Sequence, residues 1–385
     1  MYAAISGLKA HMSKLNVVGN NIANINTQGY KAQRTIFADS LYTTSSSGSN
    51  GTATVGGRNP SQIGYGVQLS SIDIDMSTGN YSPTGRPLDC MIYGQGFFMV
   101  GDKNVANNID PTDPESLKSL TLTRVGDLEF KSDGYLSKYD GSVVYGFMCI
   151  GNVNGEPIYS DQLVPIRYPK MEKVPGVDAD GNPIEKVVVR YPKVDGNKPL
   201  TDYDSELPDV AVDNVTIDPA TGRITANVTE TGEMITIGVI AIGNVTNPNG
   251  VTHLNGAYYK AGDGAGDLKV SLMGGIGEKM YTSSTNPKGD GTDKLDDQDA
   301  NGNDLYKRGI SGVNSSMLPA GTDVLEKMKV DGSGSSLQTA GLESSKTDLA
   351  MEISEMITTQ RGYQANTRII TVTDTMLEEL VNIKR

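Results

Sequence analysis

Apolar residues recur at alternating spacings of three and four at both ends of the chain, and the stretch between reads as β-structure. In residues 1–25 these positions are Ile5, Leu8, Met12, Leu15 and Ile22; in 349–381 they are Leu349, Ile353, Met356, Tyr363, Ile370, Leu377 and Val381. This is a heptad pattern, the mark of helices that pack on other helices. Residues 2–25 predict one helix of about 35 Å, and the stretch after Asp348, with no proline and one glycine (Gly362), a helix of about 55 Å at 1.5 Å per residue. Gly19 lies on the first stripe, where it either permits close approach of a partner or weakens the helix by about 1 kcal/mol. Asn20, Asn21, Asn24 and Asn26, with Gly29, then mark a helix end with left-handed backbone positions. Ser345-Lys346-Thr347-Asp348 has the Ser-x-x-Asp form of a capping box before the second helix.

Counting Leu349 as heptad position d, the d set Leu349, Met356, Tyr363, Ile370 and Leu377 is apolar throughout. The a set Ile353, Gln360, Thr367, Asp374 and Val381 is polar at its three central members. A stripe this narrow makes a helix marginal on its own and lets its seam slide. The same pattern also fits an ordinary core helix with a polar edge.

Between the ends the period changes to two. Residues 43–66 are rich in Ser, Thr, Gly and Asn and read as a flexible connector or a long irregular arm. Ile72-Asp73-Ile74-Asp75-Met76 alternates as a half-buried strand, and Gly96 to Val100 reads as a buried one. Asp-Gly pairs at 133–134 and 140–141 predict hairpins. Arg-Tyr-Pro-Lys occurs at 167–170 and again at 190–193, the two arms of a long hairpin, and 215–217 with 223–228 predict another. The resulting division is a helical segment 1–42, the connector 43–66, an inner β-domain 67–150 that returns at 233–267, an inserted outer β-domain 151–232, a variable segment or second insertion 268–335, and a helical segment 336–385. The fold class is therefore mainly β: two or more β-domains in tandem, one inserted in the other, with the terminal helices pairing as a coiled-coil-like inner domain.

Composition narrows the function. Glycine is 45 of 385 residues, which suits many tight turns. The net charge of −13 argues against nucleic acid and anionic membrane surfaces as partners. Residues 1–40 carry four bases and one acid, and 342–385 carry five bases and seven acids, so the two ends attract weakly. No run of 18 apolar residues exists, so no membrane insertion is expected; nor is a cleavable signal peptide visible, which taken alone reads as cytoplasmic. Cys90 and Cys149 are too few for a disulfide framework and read as buried free thiols, a single bridge being the alternative. His11 and His253 cannot supply a catalytic set, and no phosphate-cradling glycine motif opens a helix, so neither an enzyme nor a cofactor is expected. Asp297, Asp299 and Asn301 match the first half of a calcium loop, but Arg308 stands where the closing glutamate belongs, so a solvated acidic turn is favoured.

Two terminal motifs carry a resemblance. Ser6-Gly7-Leu8, with Gly19-Asn20-Asn21-Ile22-Ala23-Asn24-Ile25-Asn26-Thr27 and Gly29-Tyr30-Lys31, resembles one half of the signature of the flagellar rod, hook and hook-filament junction family. Glu355-Met356-Ile357 with Thr359-Gln360-Arg361-Gly362-Tyr363-Gln364-Ala365-Asn366 resembles the other half. The resemblance covers about 1–150, 233–265 and 336–385. Members usually carry a few residues ahead of the Met1-Tyr2 position. Within the family, the ending from Thr375 to Arg385, Gly94-Gln95-Gly96-Phe97-Phe98 and Leu122-Thr123-Arg124-Val125-Gly126 resemble the hook branch.

The resemblance implies a structural, self-assembling homopolymer: a hollow, curved tube joining motor rod to filament and transmitting torque. It implies rod, hook-cap, junction and hook-length-control proteins as partners, and extracellular delivery through the flagellar type III export apparatus. The stripe residues above, with Asn20, Asn21 and Asn24, would carry the subunit contacts. Within the same family a distal rod protein or a hook-filament junction protein is the alternative, the length of the middle being set against the first and the inner-core motifs against the second. A calcium-dependent adhesive module with helical ends is the alternative from another class.

Overall fold

The computed structural model describes residues 2–51, 54, 56–103, 109, 111, 113–153, 156–160, 163–177, 183–191, 207–273, 281–282, 332–333 and 335–383. The candidate calcium residues Asp297, Asp299 and Asn301, and most of the expected variable segment 268–335, lie outside the described residues. The chain is mainly β with a helix at each end, and it divides into two compact units, 1–76 with 345–385, and 77–344.

The first unit contains both terminal helices, Tyr2–Ala23 and Leu349–Ile383. Asp348 is the N-cap of the second: its Oδ1 accepts the N–H groups of Ala350 and Met351 at 2.9 and 3.2 Å. Ser345, expected in that role, instead accepts the Thr347 N–H at 3.3 Å in a local turn. Gln33–Asp39 pairs antiparallel with Val67–Ile74, so the alternating segment expected in the inner β-domain belongs to the unit that holds the helices. The polar segment 43–66 is likewise more ordered than its composition predicts. Tyr42–Ser46 pairs with Ser61–Gly64, and a bridge joins Ser49 to Arg58, which makes an exposed hairpin of the expected arm.

The second unit is built around one extended sheet. Its strands run, neighbour to neighbour, Val212–Ile217, Arg223–Val228, Met234–Ile240, Val143–Val153, Phe97–Gly101, Ile242–Val245 and Leu268–Met273. Met234–Ile240 pairs with Arg223–Val228 on one side and Val143–Val153 on the other, so the sheet runs unbroken across the expected boundary at 232. The Arg-Tyr-Pro-Lys arms do form a hairpin, Lys170–Val177 with Pro183–Arg190, as a sheet of its own. Phe97–Val100 and Val143–Cys149 are buried on both faces, and Phe98, Val144, Ile240 and Ile242 join one apolar core. Cys90 and Cys149 are buried free thiols, and burial pushes the Cys90 thiol far above its usual range.

The returning chain closes the same unit. Cys90–Tyr93 pairs with Ser336–Thr339, and Tyr81–Pro83 with Gly341–Glu343. The Ser344 N–H donates to Asn80 O at 2.9 Å, so the outgoing and returning strands leave the unit side by side.

Candidate functional site

Within the first unit the two terminal helices lie antiparallel, and a narrow face of small and polar residues joins them. The N-terminal helix buries Ala4, Gly7, Ala10, Val17, Val18 and Asn21. Gly7 is required by proximity: a Cβ there would stand 2.7 Å from Asn366 Nδ2. Gly362 is required in the same way, since its Cβ would lie 2.7 Å from the His11 ring. Further along, Lys14 Nζ pairs with Glu355 Oε2 at 3.0 Å, and Asn21 Nδ2 donates to Glu352 Oε1 at 2.8 Å.

Asn21 is the hub of this face. Its Oδ1 accepts the Gln33 N–H and the Tyr30 hydroxyl, both at 3.0 Å, and its Nδ2 donates to Gln33 O at 2.8 Å as well as to Glu352. Asn20 Nδ2 donates to Tyr30 Oη at 3.1 Å, and Tyr30 O accepts the Lys346 N–H at the same distance. Burial first, and the Glu352 carboxylate second, push the Tyr30 hydroxyl up to about 12. Burial also raises the Glu352 carboxyl above its usual range, and the Asn21 hydrogen bond opposes the rise. The Asn cluster and Gly-Tyr-Lys therefore fold the chain back onto its own helix, a role that their residue types alone did not disclose.

The large apolar stripe read from the sequence lies beside this face, not on it. Positions 4, 7 and 21 are buried; the stripe positions Ile5, Leu8 and Ile22 each come one residue later, about 100° around the helix. Ile5 is 37% exposed and Met12 48%, while Leu8, Leu15 and Ile22 are half-buried. On the C-terminal helix Met356, Tyr363 and Ile370 are half-buried, whereas Leu349, Ile353, Gln360, Leu377 and Val381 are exposed. Thr359 is the helix's one buried residue among those described. Asn24 is half-buried and donates to Asn20 O and Oδ1.

The helices also differ in length: 22 residues against 35, or about 33 Å against 52 Å. Every described residue after Thr373 is exposed, including Met376, Leu377, Leu380, Val381 and Ile383. At the same end of the pair, Tyr2, Ile5, Ser6, Lys9 and Tyr65 line an open, largely apolar groove of about 430 Å³. Sequence reading missed Gly7, His11, Lys14, Glu352, Glu355, Gly362 and Asn366 as pairing residues, because a seam of glycine, amide and charge gives no hydrophobic signal. No helix among the described residues is long and apolar enough to cross a membrane.

Comparison with known proteins adds the following. The family model described as "Flagella basal body rod protein" matches residues 1–31, and "Flagellar basal body rod FlgEFG protein C-terminal" matches 338–383. The chain is 30% identical to the flagellar basal-body rod protein FlgG of Bacillus subtilis over 385 residues, covering 100% of this chain and 98% of the relative. It is 26% identical to the flagellar hook protein FlgE of Borreliella burgdorferi, covering 100% and 99% over 462 aligned positions. A hook protein FlgE of Treponema pallidum is likewise 26% identical, with the same shares. A relative named for the rod thus spans the whole middle, and the length of that middle does not separate hook from rod.

Proposed function

The chain belongs to the flagellar rod and hook family, a structural one, and from that premise we propose that it is the subunit of the hook, the flexible tube between rod and filament. One observation carries the assembly reading. The chain's own helix pair uses a small polar face and leaves the heptad stripes beside it partly uncovered. Ile5, Met12, Leu349, Ile353, Leu377 and Val381 stand 37–70% exposed along the two helices. Copies of the chain, stacked so that stripe meets stripe, would cover them and supply the order that a marginal helix pair lacks.

In this reading the terminal helices form a coiled-coil-like inner layer of the tube. Asn21, satisfied by its own chain, sets the shape of the subunit and leaves the contacts to the exposed stripe. Gln360 and Asp374, polar and exposed, let neighbouring copies slide as the tube bends. Subunits reach the outside through the type III export apparatus. Rod, cap, junction and length-control proteins meet the two ends of the tube.

A rod subunit is the second reading, favoured by the end-to-end similarity to a protein named for the rod. Electron micrographs of basal bodies from cells lacking the gene separate the two. Complete rods without hooks support the hook reading; rods that stop short support the rod reading. Purified chain that forms no tube at any concentration counts against both.

A further inference from the structure

A cluster in the β-unit takes no part in the helix surface. Lys138 ends the strand Leu136–Lys138 and pairs across to Leu128, which sets its side chain beside Asp127. Its Nζ lies 3.7 Å from Asp127 Oδ1, an oxygen that is buried and accepts no hydrogen bond. Lys138 is only 4% exposed. Its Nζ donates to Tyr258 Oη at 2.9 Å, and Tyr258 Oη donates to Asp140. Burial draws the Lys138 ammonium below its usual range and pushes the Asp127 carboxyl above its own, each shift opposed by the other's charge. Asp140 falls below its usual range: burial opposes that shift, and the Tyr258 hydrogen bond drives it.

A sheltered amine, a carboxyl whose facing oxygen has no partner, and a second carboxylate reached through a phenol are the parts an amide-forming site requires. We propose that Lys138 and Asp127 condense into an intramolecular isopeptide bond. The ammonium proton passes through Tyr258 Oη to Asp140, and the freed Nζ attacks Asp127 Cγ. The proton held by Asp140 and a second proton released by the nitrogen as the amide forms both pass to the departing Asp127 oxygen, which leaves as water. One C–N bond forms, one C–O bond breaks, one water leaves, and neither oxidant nor co-reactant is needed. The bond ties the 128–138 hairpin covalently, a suitable reinforcement for a part under mechanical load.

The test is mass spectrometry of the full-length protein. The intact mass should fall short of the sequence mass by one water. Trypsin should yield a branched peptide joining 125–131 to a segment left uncut after Lys138. Succinimides at Asp133-Gly134 or Asp140-Gly141 would lose the same mass; hydroxylamine opens them and spares the isopeptide, so the branched peptide decides. Lys138→Arg and Asp127→Ala should each restore the full mass. Tyr258→Phe should slow the condensation by about 100-fold or more. Full mass, with ordinary cleavage after Lys138 in protein aged for days at growth temperature, overturns the proposal.

Discussion

Glu343→Gln should destabilise the β-unit far more than a single lost charge on the surface would. Arg124 and Glu343 are each 1% exposed and stand 3.8 Å apart. Arg124 also donates to Ile92 O at 3.2 Å and Gly94 O at 2.8 Å and lies over the Phe97 ring, while Glu343 Oε1 accepts the Gly79 N–H at 2.5 Å. Glutamine keeps the shape and the acceptor for Gly79 and removes only the charge. The guanidinium then stays buried, ionised and without its counter-charge, because arginine does not deprotonate in proteins. Breaking one side of such a pair costs about 3–5 kcal/mol, and the two carbonyls that still hold Arg124 place the value near 3. For a unit of this size each kcal/mol lowers Tm by about 2–4 °C, so calorimetry of the full-length protein should show the β-unit transition about 6–12 °C lower. Replacing both partners, Arg124→Met with Glu343→Leu, should recover most of that loss. A single-variant fall below about 2 °C would refute this account of the pair.

Gly362→Val sets a branched side chain where a Cβ alone would lie 2.7 Å from the His11 ring. The overpacking costs about 1–3 kcal/mol, more than the few tenths recovered in helix propensity. The concentration needed for polymerisation, read by sedimentation, should rise about 5- to 150-fold, and an unchanged value would count against the pairing face. Glu352 has a raised folded-state pKa, so the folded chain holds that proton more tightly than the unfolded chain does. Pairing of the helices should therefore be strongest in acid and weaken as pH rises from about 4.3 through the raised value, with no further change above it. Glu352→Gln should remove that slope in a pH series of limited proteolysis, and a slope that persists assigns the titration to another group. Lys14 and Glu355 remain about a quarter to a third exposed, so Glu355→Gln should cost under about 1 kcal/mol and nothing in high salt. A larger, salt-independent cost would show that the pair is sheltered.

The helices were legible because a period of 3.5 is visible in a single sequence, and they appear at Tyr2–Ala23 and Leu349–Ile383. Which face they turn to each other was not legible. The strongest apolar stripe lies beside the seam, which within one chain goes to Gly7, His11, Gly362 and Asn366. Strand signals held where burial is one-sided, as in Arg223–Val228 with its alternating buried positions. They failed at Tyr42–Ser46 and Ser61–Gly64, whose exposed Ser and Thr side chains carry no burial pattern although the backbone pairs on either side of a bulge at Ser45. Arg124 and Glu343 could not have been matched from sequence, since more than two hundred positions separate a charge from the partner that permits its burial.

Amide hydrogen exchange on both terminal helices, in the dilute lone chain and in the assembled tube, tests the central claim most directly. Residues 374–383 should exchange at nearly random-coil rates in the lone chain, 2–23 and 349–373 should show only modest protection, and all should slow sharply on assembly. Strong protection of 374–383 in the lone chain, or none gained in the tube, would contradict the claim that these stripes are buried by neighbouring copies.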